Sequence, residues 1–179
     1  MRALVITAGI LVLIVGGFAL SALLGGGDDS ESKDEISEVV ESTDNAPRFA
    51  LPDYTGKERA SSEFQEKIQV INLWSTWCPF CVDELPDFAA LQEEFEDEIV
   101  VIAINRGESR NDAKEFTDQI GIGNRITLLL DANESYYRAI GGFAMPETLF
   151  VRSDGTIHLH KRGPLSLSEM RTVINQMLP

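Results

Sequence analysis

The residues of this chain best suited to chemistry are two cysteines three positions apart, in Trp77-Cys78-Pro79-Phe80-Cys81. They are the only cysteines in 179 residues, and a bridge between them closes a loop too small to add much to fold stability. Their spacing therefore points to reversible sulfur chemistry. The apolar run Ile68 to Trp74 precedes the pair and reads as a buried strand. After it, Cys81, Leu85, Phe88, Leu91 and Phe95 recur at steps of three and four, the period of a helix. Unpaired backbone N–H groups and the dipole at such a helix start stabilise a thiolate on Cys78, making it the attacking sulfur. Cys81, one turn inside, is then the shielded sulfur that resolves a mixed disulfide.

Positioning the pair requires a framework, and strand and helix patterns alternate from Pro47 onward. Pro86 is expected to kink the helix that follows the cysteines. Ile99 to Ile104 reads as a second strand, Ser109 caps a helix reaching about Ile120, and Ile126 to Leu130 is a third strand. Leu149 to Val151 and Thr156 to His160 flank Ser153-Asp154-Gly155, a hairpin turn signal. Ser166-Leu-Ser-Glu169 forms a capping box that opens a last helix to Leu178. This order predicts an α/β domain over 47–179, a mixed sheet flanked by helices.

Upstream the character changes twice. Residues 3–24 carry no charge and, as a helix, would span about 33 Å at ~1.5 Å per residue, enough to cross a bilayer. They read as a transmembrane signal anchor, although Ala19, Leu20 and Ser21 also form a small-x-small cleavage site. Arg2 before the span and acids after it favour a single-pass cell-membrane protein with everything C-terminal exported. Residues 25–46 hold eight acids against Lys33 alone and read as an acidic, extended linker. The whole chain has 15 Lys and Arg against 29 Asp and Glu, a net charge of −14. That balance repels phosphate backbones and excludes a nucleic-acid partner.

With these elements in place, the chain resembles the thioredoxin superfamily over roughly 47–179, and within it the TlpA/ResA/CcmG group of membrane-anchored thiol-disulfide oxidoreductases. The resemblance rests on Val70-Ile-Asn-Leu-Trp-Ser-Thr-Trp-Cys-Pro-Phe-Cys81, on Glu84-Leu-Pro86, and on Ala144-Met-Pro-Glu-Thr-Leu-Phe150. It implies a thioredoxin-like fold in which Pro146 is the cis-proline beside the cysteines, helping to bind an extended substrate segment. Trp77, Pro79, Phe80 and Met145 join Pro146 as substrate-binding candidates, with plain packing the alternative for Met145. Pro146-Glu147-Thr148 looks especially like the CcmG branch, which implies a role in cytochrome c-type biogenesis. The implied partners are thiols and disulfides of exported proteins and a membrane electron donor, with residues 3–24 in the lipid bilayer. No cofactor is implied beyond the redox-active disulfide.

One departure bears on the proton. Where thioredoxin proper carries a buried aspartate before the motif, this chain has Asn72, leaving Glu84 and Glu147 as candidate catalytic carboxylates. Desolvated near the cysteines, either would have a raised pKa and could shuttle the Cys81 proton; both also suit a solvated acidic surface. Competing functions fit less well. Zinc needs about four ligands, and His158 and His160 lie on the far hairpin, away from the cysteines. A thiol peroxidase of the AhpC/TSA type resembles its relatives in Pro-x-x-x-Thr-x-x-Cys, where this chain has Ile71 and Ser75. A non-catalytic adaptor has no need of a reactive pair. Spacing alone does not choose a reductase over an oxidase or isomerase. The lack of any Lys or Arg between Lys67 and Arg106 favours the reductase, because it withholds support from a thiolate.

Overall fold

The computed structural model describes residues 44–179, so the expected transmembrane helix at 1–24 and most of the linker at 25–46 lie outside the described residues. Among the described residues no helix is long and apolar enough to cross a membrane. Asp44 to Ala46, which the sequence reading leaves in the linker, already pair with a hairpin turn: Ala46 N–H donates to the Gly155 carbonyl at 3.0 Å and Ile157 N–H to that of Asp44 at 2.9 Å.

The elements are β1 (Ala50–Pro52), β2 (Glu58–Ala60), a 3-10 turn (Ser61–Phe64), β3 (Ile68–Trp74), α1 (Pro79–Glu94), β4 (Ile99–Arg106), α2 (Arg110–Gln119), β5 (Thr127–Asp131), α3 (Ser135–Ala139), β6 (Glu147–Val151), β7 (Ile157–Arg162) and α4 (Leu167–Met177). Five strands form the central sheet in the order β5-β4-β3-β6-β7. β3, β4 and β5 run parallel, β6 pairs antiparallel with β3, and β7 pairs antiparallel with β6, as expected of a mixed sheet. The fold is thioredoxin-like.

Strand alternation divides the core between the two faces of the sheet. Val70 and Trp74 of β3 join Cys81, Leu85 and Phe88 of α1 and Met170 and Ile174 of α4 on one face. Ile71 and Leu73 pack with Phe49, Leu51, Tyr136 and Tyr137 on the other. Asn72 therefore belongs by alternation to the layer that holds the cysteines. α1 continues past Pro86 to Glu94. Leu85, Phe88 and Leu91 of that helix are fully buried, each worth about 1.5–3 kcal/mol relative to exposure.

Both expected caps form. Ser109 accepts from Asp112 N–H at 3.2 Å, and Ser166 and Glu169 make a reciprocal capping box at the start of α4. The β6–β7 turn forms at Ser153-Asp154-Gly155, with Gly155 at φ +91°, a left-handed conformation suited to glycine. Four elements escape the sequence reading: β1, β2, the 3-10 turn and α3. Each is only three to five residues long, too short to display a hydrophobic period. α3 is fastened locally, the Asp131 carboxylate accepting from the Ser135 and Tyr137 N–H groups at 2.8 and 2.9 Å.

Candidate active site

The cysteines sit where β3 gives way to α1. Cys78 is the N-cap of α1, Pro79 fills the first helical position, and the two cysteines are disulfide-bonded. Cys78 Sγ accepts the Cys81 N–H at 3.2 Å, so the helix start does aim a donor at the first sulfur. Cys78 retains only 3% exposure and Cys81 none, which places both sulfurs in the core margin with Cys78 the more open. Trp77 and Phe80 stand out at 61% and 58% exposure, while Trp74 is buried against Phe116.

The turn before Cys78 is fastened to the β4–α2 loop. Ser75 Oγ donates to the Arg106 carbonyl at 2.8 Å, and Thr76 N–H donates to Glu108 Oε2 at 2.8 Å. The Thr76 hydroxyl donates to the other Glu108 oxygen, and Asn105 Nδ2 to Glu108 Oε2 at 2.6 Å. Glu108 lies 32 residues from Thr76 in sequence, and nothing in its local pattern marks it as part of the site.

Glu84, one turn beyond Cys81, is buried. Its Oε1 accepts from Asn72 Nδ2 at 2.8 Å and its Oε2 from Leu165 N–H at 3.1 Å. Burial pushes its pKa up to about 7, against the two hydrogen bonds and with a small further push from the Asp87 charge. Asn72 Nδ2 also reaches Thr148 Oγ1 at 3.1 Å, directly across the β3–β6 pairing.

Glu147 behaves oppositely, correcting the expectation of a raised pKa. Burial works to raise its pKa, but donors from Ala144 N–H and Phe143 N–H, both at 2.6 Å, and His160 Nε2 at 2.6 Å outweigh it and hold the carboxyl below its ordinary value. An acid held ionised is poorly suited to shuttling protons. His160 is also nearer than the sequence suggested: the β6–β7 pairing brings it to the residue beside Pro146. Among the described residues no group of three or more His, Cys, Asp or Glu could hold a metal ion.

The Met145–Pro146 bond is cis. Register Leu73↔Glu147 brings the start of β6 beside the end of β3, so Pro146 and the cysteines share one end of the sheet. Met145 is half-buried and packs on both core clusters, one of which contains Cys78 and Cys81. The loop before it is tightly fitted: a Cβ on Gly142 would lie 2.4–2.5 Å from ring atoms of Tyr137. That ring cannot easily swing away, because the Arg106 guanidinium covers it at 3.8 Å and its hydroxyl donates to the Ala144 carbonyl at 3.0 Å. Gly142→Ala should therefore lower stability by about 1–3 kcal/mol in urea unfolding, and an unchanged midpoint would show that the ring yields.

A disulfide at the start of a helix, beside a cis-proline at the same end of a thioredoxin-like sheet, defines a thiol-disulfide oxidoreductase. The chain belongs to the AhpC/TSA family, whose sequence pattern matches residues 43–160. It is similar to the thiol-disulfide oxidoreductase ResA of Geobacillus thermodenitrificans, 23% identical over 135 residues that cover 75% of this chain and 76% of that protein. It is 28% identical over 157 residues to the thiol:disulfide interchange protein DsbE of Vibrio cholerae, covering 87% and 82%. A crystal structure from Chlorobium tepidum, described as a thiol:disulfide interchange protein DsbE, shares the fold with a TM-score of 0.71 at 23% identity, covering 79% of this chain and all of the other. The enzyme is thus of the ResA/DsbE type. Within the family, the position of the peroxidase threonine holds Ser75, whose hydroxyl is committed to the Arg106 carbonyl.

Proposed function

We propose that this oxidoreductase is an exported reductase, anchored by residues 3–24, which restores thiols in client proteins and is recharged by a membrane electron donor. The reduced Cys78/Cys81 dithiol itself carries the two electrons, without a further cofactor. The thiolate of Cys78 attacks a client disulfide, forming a mixed disulfide and releasing one client sulfur as a thiolate. Glu84 takes the Cys81 proton, the Cys81 thiolate attacks Cys78 Sγ, and the second client sulfur departs. The client is left reduced and the enzyme oxidised. The resemblance of Pro146-Glu147-Thr148 to the CcmG branch supports apocytochrome c as the client.

The observation that carries this reading is the charge around the pair. Asp83, Glu84 and Glu108 stand near the motif, and Lys and Arg are absent from 68–105. Arg106 pairs instead with Glu134 at 3.2 Å and stacks on Tyr137. Only the start of α1 supports a Cys78 thiolate, so the reduced form gains little stabilisation and the potential should be low, nearer about −270 mV than −120 mV. Equilibration with glutathione or dithiothreitol buffers, reading the fraction of free Cys78 thiol, tests it. A potential above roughly −180 mV would replace the reductase with an oxidase or isomerase.

A further inference from the structure

Among the described residues the exposed large hydrophobic side chains are Trp77, Phe80 and Phe143, the last at 85% exposure. The first two flank Cys78 in sequence. Phe143 comes far later, yet the Leu73↔Glu147 register opens its loop at the same end of the sheet. Nearly every peptide of that loop is tied down. Gly142 N–H donates to the Tyr137 carbonyl at 2.9 Å, and Tyr137 Oη to that of Ala144 at 3.0 Å. Phe143 and Ala144 N–H both converge on Glu147 Oε1, while His160 Nε2–H donates to Glu147 Oε2. Arg162 Nε stands 3.8 Å from the same carboxylate. The backbone is thus immobilised while the phenyl ring faces water. A rigid, outward aromatic beside a reactive disulfide is pre-organised for contact, since little ordering remains to be lost on binding.

We propose that Phe143 is a client-contact side chain and that Glu147, His160 and Tyr137 are positioning residues that hold its loop in the binding shape. The occupant is a polypeptide segment running from the client's disulfide past Pro146, placing an apolar or aromatic side chain against Phe143. Continuity with the cysteines and Met145 at one end of the sheet argues for the client itself. This rests on the reductase reading, so the test uses two disulfides on the full-length chain: insulin, which has polypeptide to reach Phe143, and oxidised glutathione, which is too short.

Phe143→Ser, a change at an exposed position, should raise KM for insulin about five- to tenfold while leaving kcat, oxidised-glutathione turnover and the reduction potential unchanged. His160→Leu should raise the same KM, and His160→Gln, which keeps a donor for Glu147, should restore most of it. Turnover of oxidised glutathione by the unaltered chain reports the reductase reading by itself; the insulin-to-glutathione ratio reports the Phe143 contact. An unchanged insulin KM in Phe143→Ser, or equal losses on both disulfides, would overturn the proposal.

Discussion

Cys81→Ser should accumulate client proteins as mixed disulfides on Cys78, whereas Cys78→Ser should trap almost none and lower turnover at least about a thousandfold, as loss of a nucleophile does. The asymmetry follows from the helix start. Cys78 caps α1 with its sulfur accepting an N–H, and it keeps the pair's small solvent exposure. Cys81 lies in the first turn, fully buried, so a client sulfur meets Cys78 first. Once the mixed disulfide has formed, only an internal attack by Cys81 releases the client, and serine cannot make it. Non-reducing gels of cell extracts followed by release with dithiothreitol provide the measurement. Equal trapping by the two variants would mean that either sulfur can lead, and the assignment of roles would fail.

The parts of this site visible in the sequence are those that local spacing determines. β3, α1, β4, α2 and β5 emerge from apolar periodicity because each is long enough to show one, and the cysteine pair gains its meaning from falling between two of them. Glu84 was legible as a candidate because one helical turn separates it from Cys81. Its partners were not: Leu165 is 81 residues away and reaches it only through the packing of the α4 entry on α1. Glu108 and His160 were hidden for the same reason, being joined to Thr76 and Glu147 by strand neighbourhood and hairpin register. The case of Glu147 shows where such reading fails in sign. Burial near the cysteines predicted a raised pKa, but the answer turned on two backbone N–H groups, whose direction is set by the fold of residues 141–146. A carboxylate's neighbours, more than its depth, decide which way it titrates.

Glu84→Gln should change stability in a pH-dependent way, because Glu84 is buried with too few donors to offset desolvation. Its pKa rises from 4.5 to about 7 on folding, so the folded chain holds this proton more tightly than the unfolded chain. Below about pH 4.5 the carboxyl is protonated in both states and imposes no penalty. As pH rises the unfolded state ionises first, and above about pH 7 both are charged, with the folded state bearing the cost of a buried carboxylate, about 3 kcal/mol. Glutamine stays neutral throughout. It brings a constant cost of about 1–3 kcal/mol, because one amide oxygen cannot accept from both Asn72 Nδ2 and Leu165 N–H, leaving a donor unmet. The variant should therefore be less stable than the natural chain at pH 4 and at least as stable at pH 8, with the difference shifting by about 3 kcal/mol between them. Urea unfolding of the oxidised protein at pH 4, 6 and 8 measures this, and parallel stability curves would show that Glu84 does not titrate in that window. The same substitution removes the group proposed above to receive the Cys81 proton. Resolution of the mixed disulfide at pH 7 should slow by about a hundredfold, so that Glu84→Gln traps clients slowly and reversibly where Cys81→Ser traps them outright. Stability that shifts with pH while resolution stays at the natural rate would leave Glu84 a buried acid of the fold and move the proton transfer to solvent.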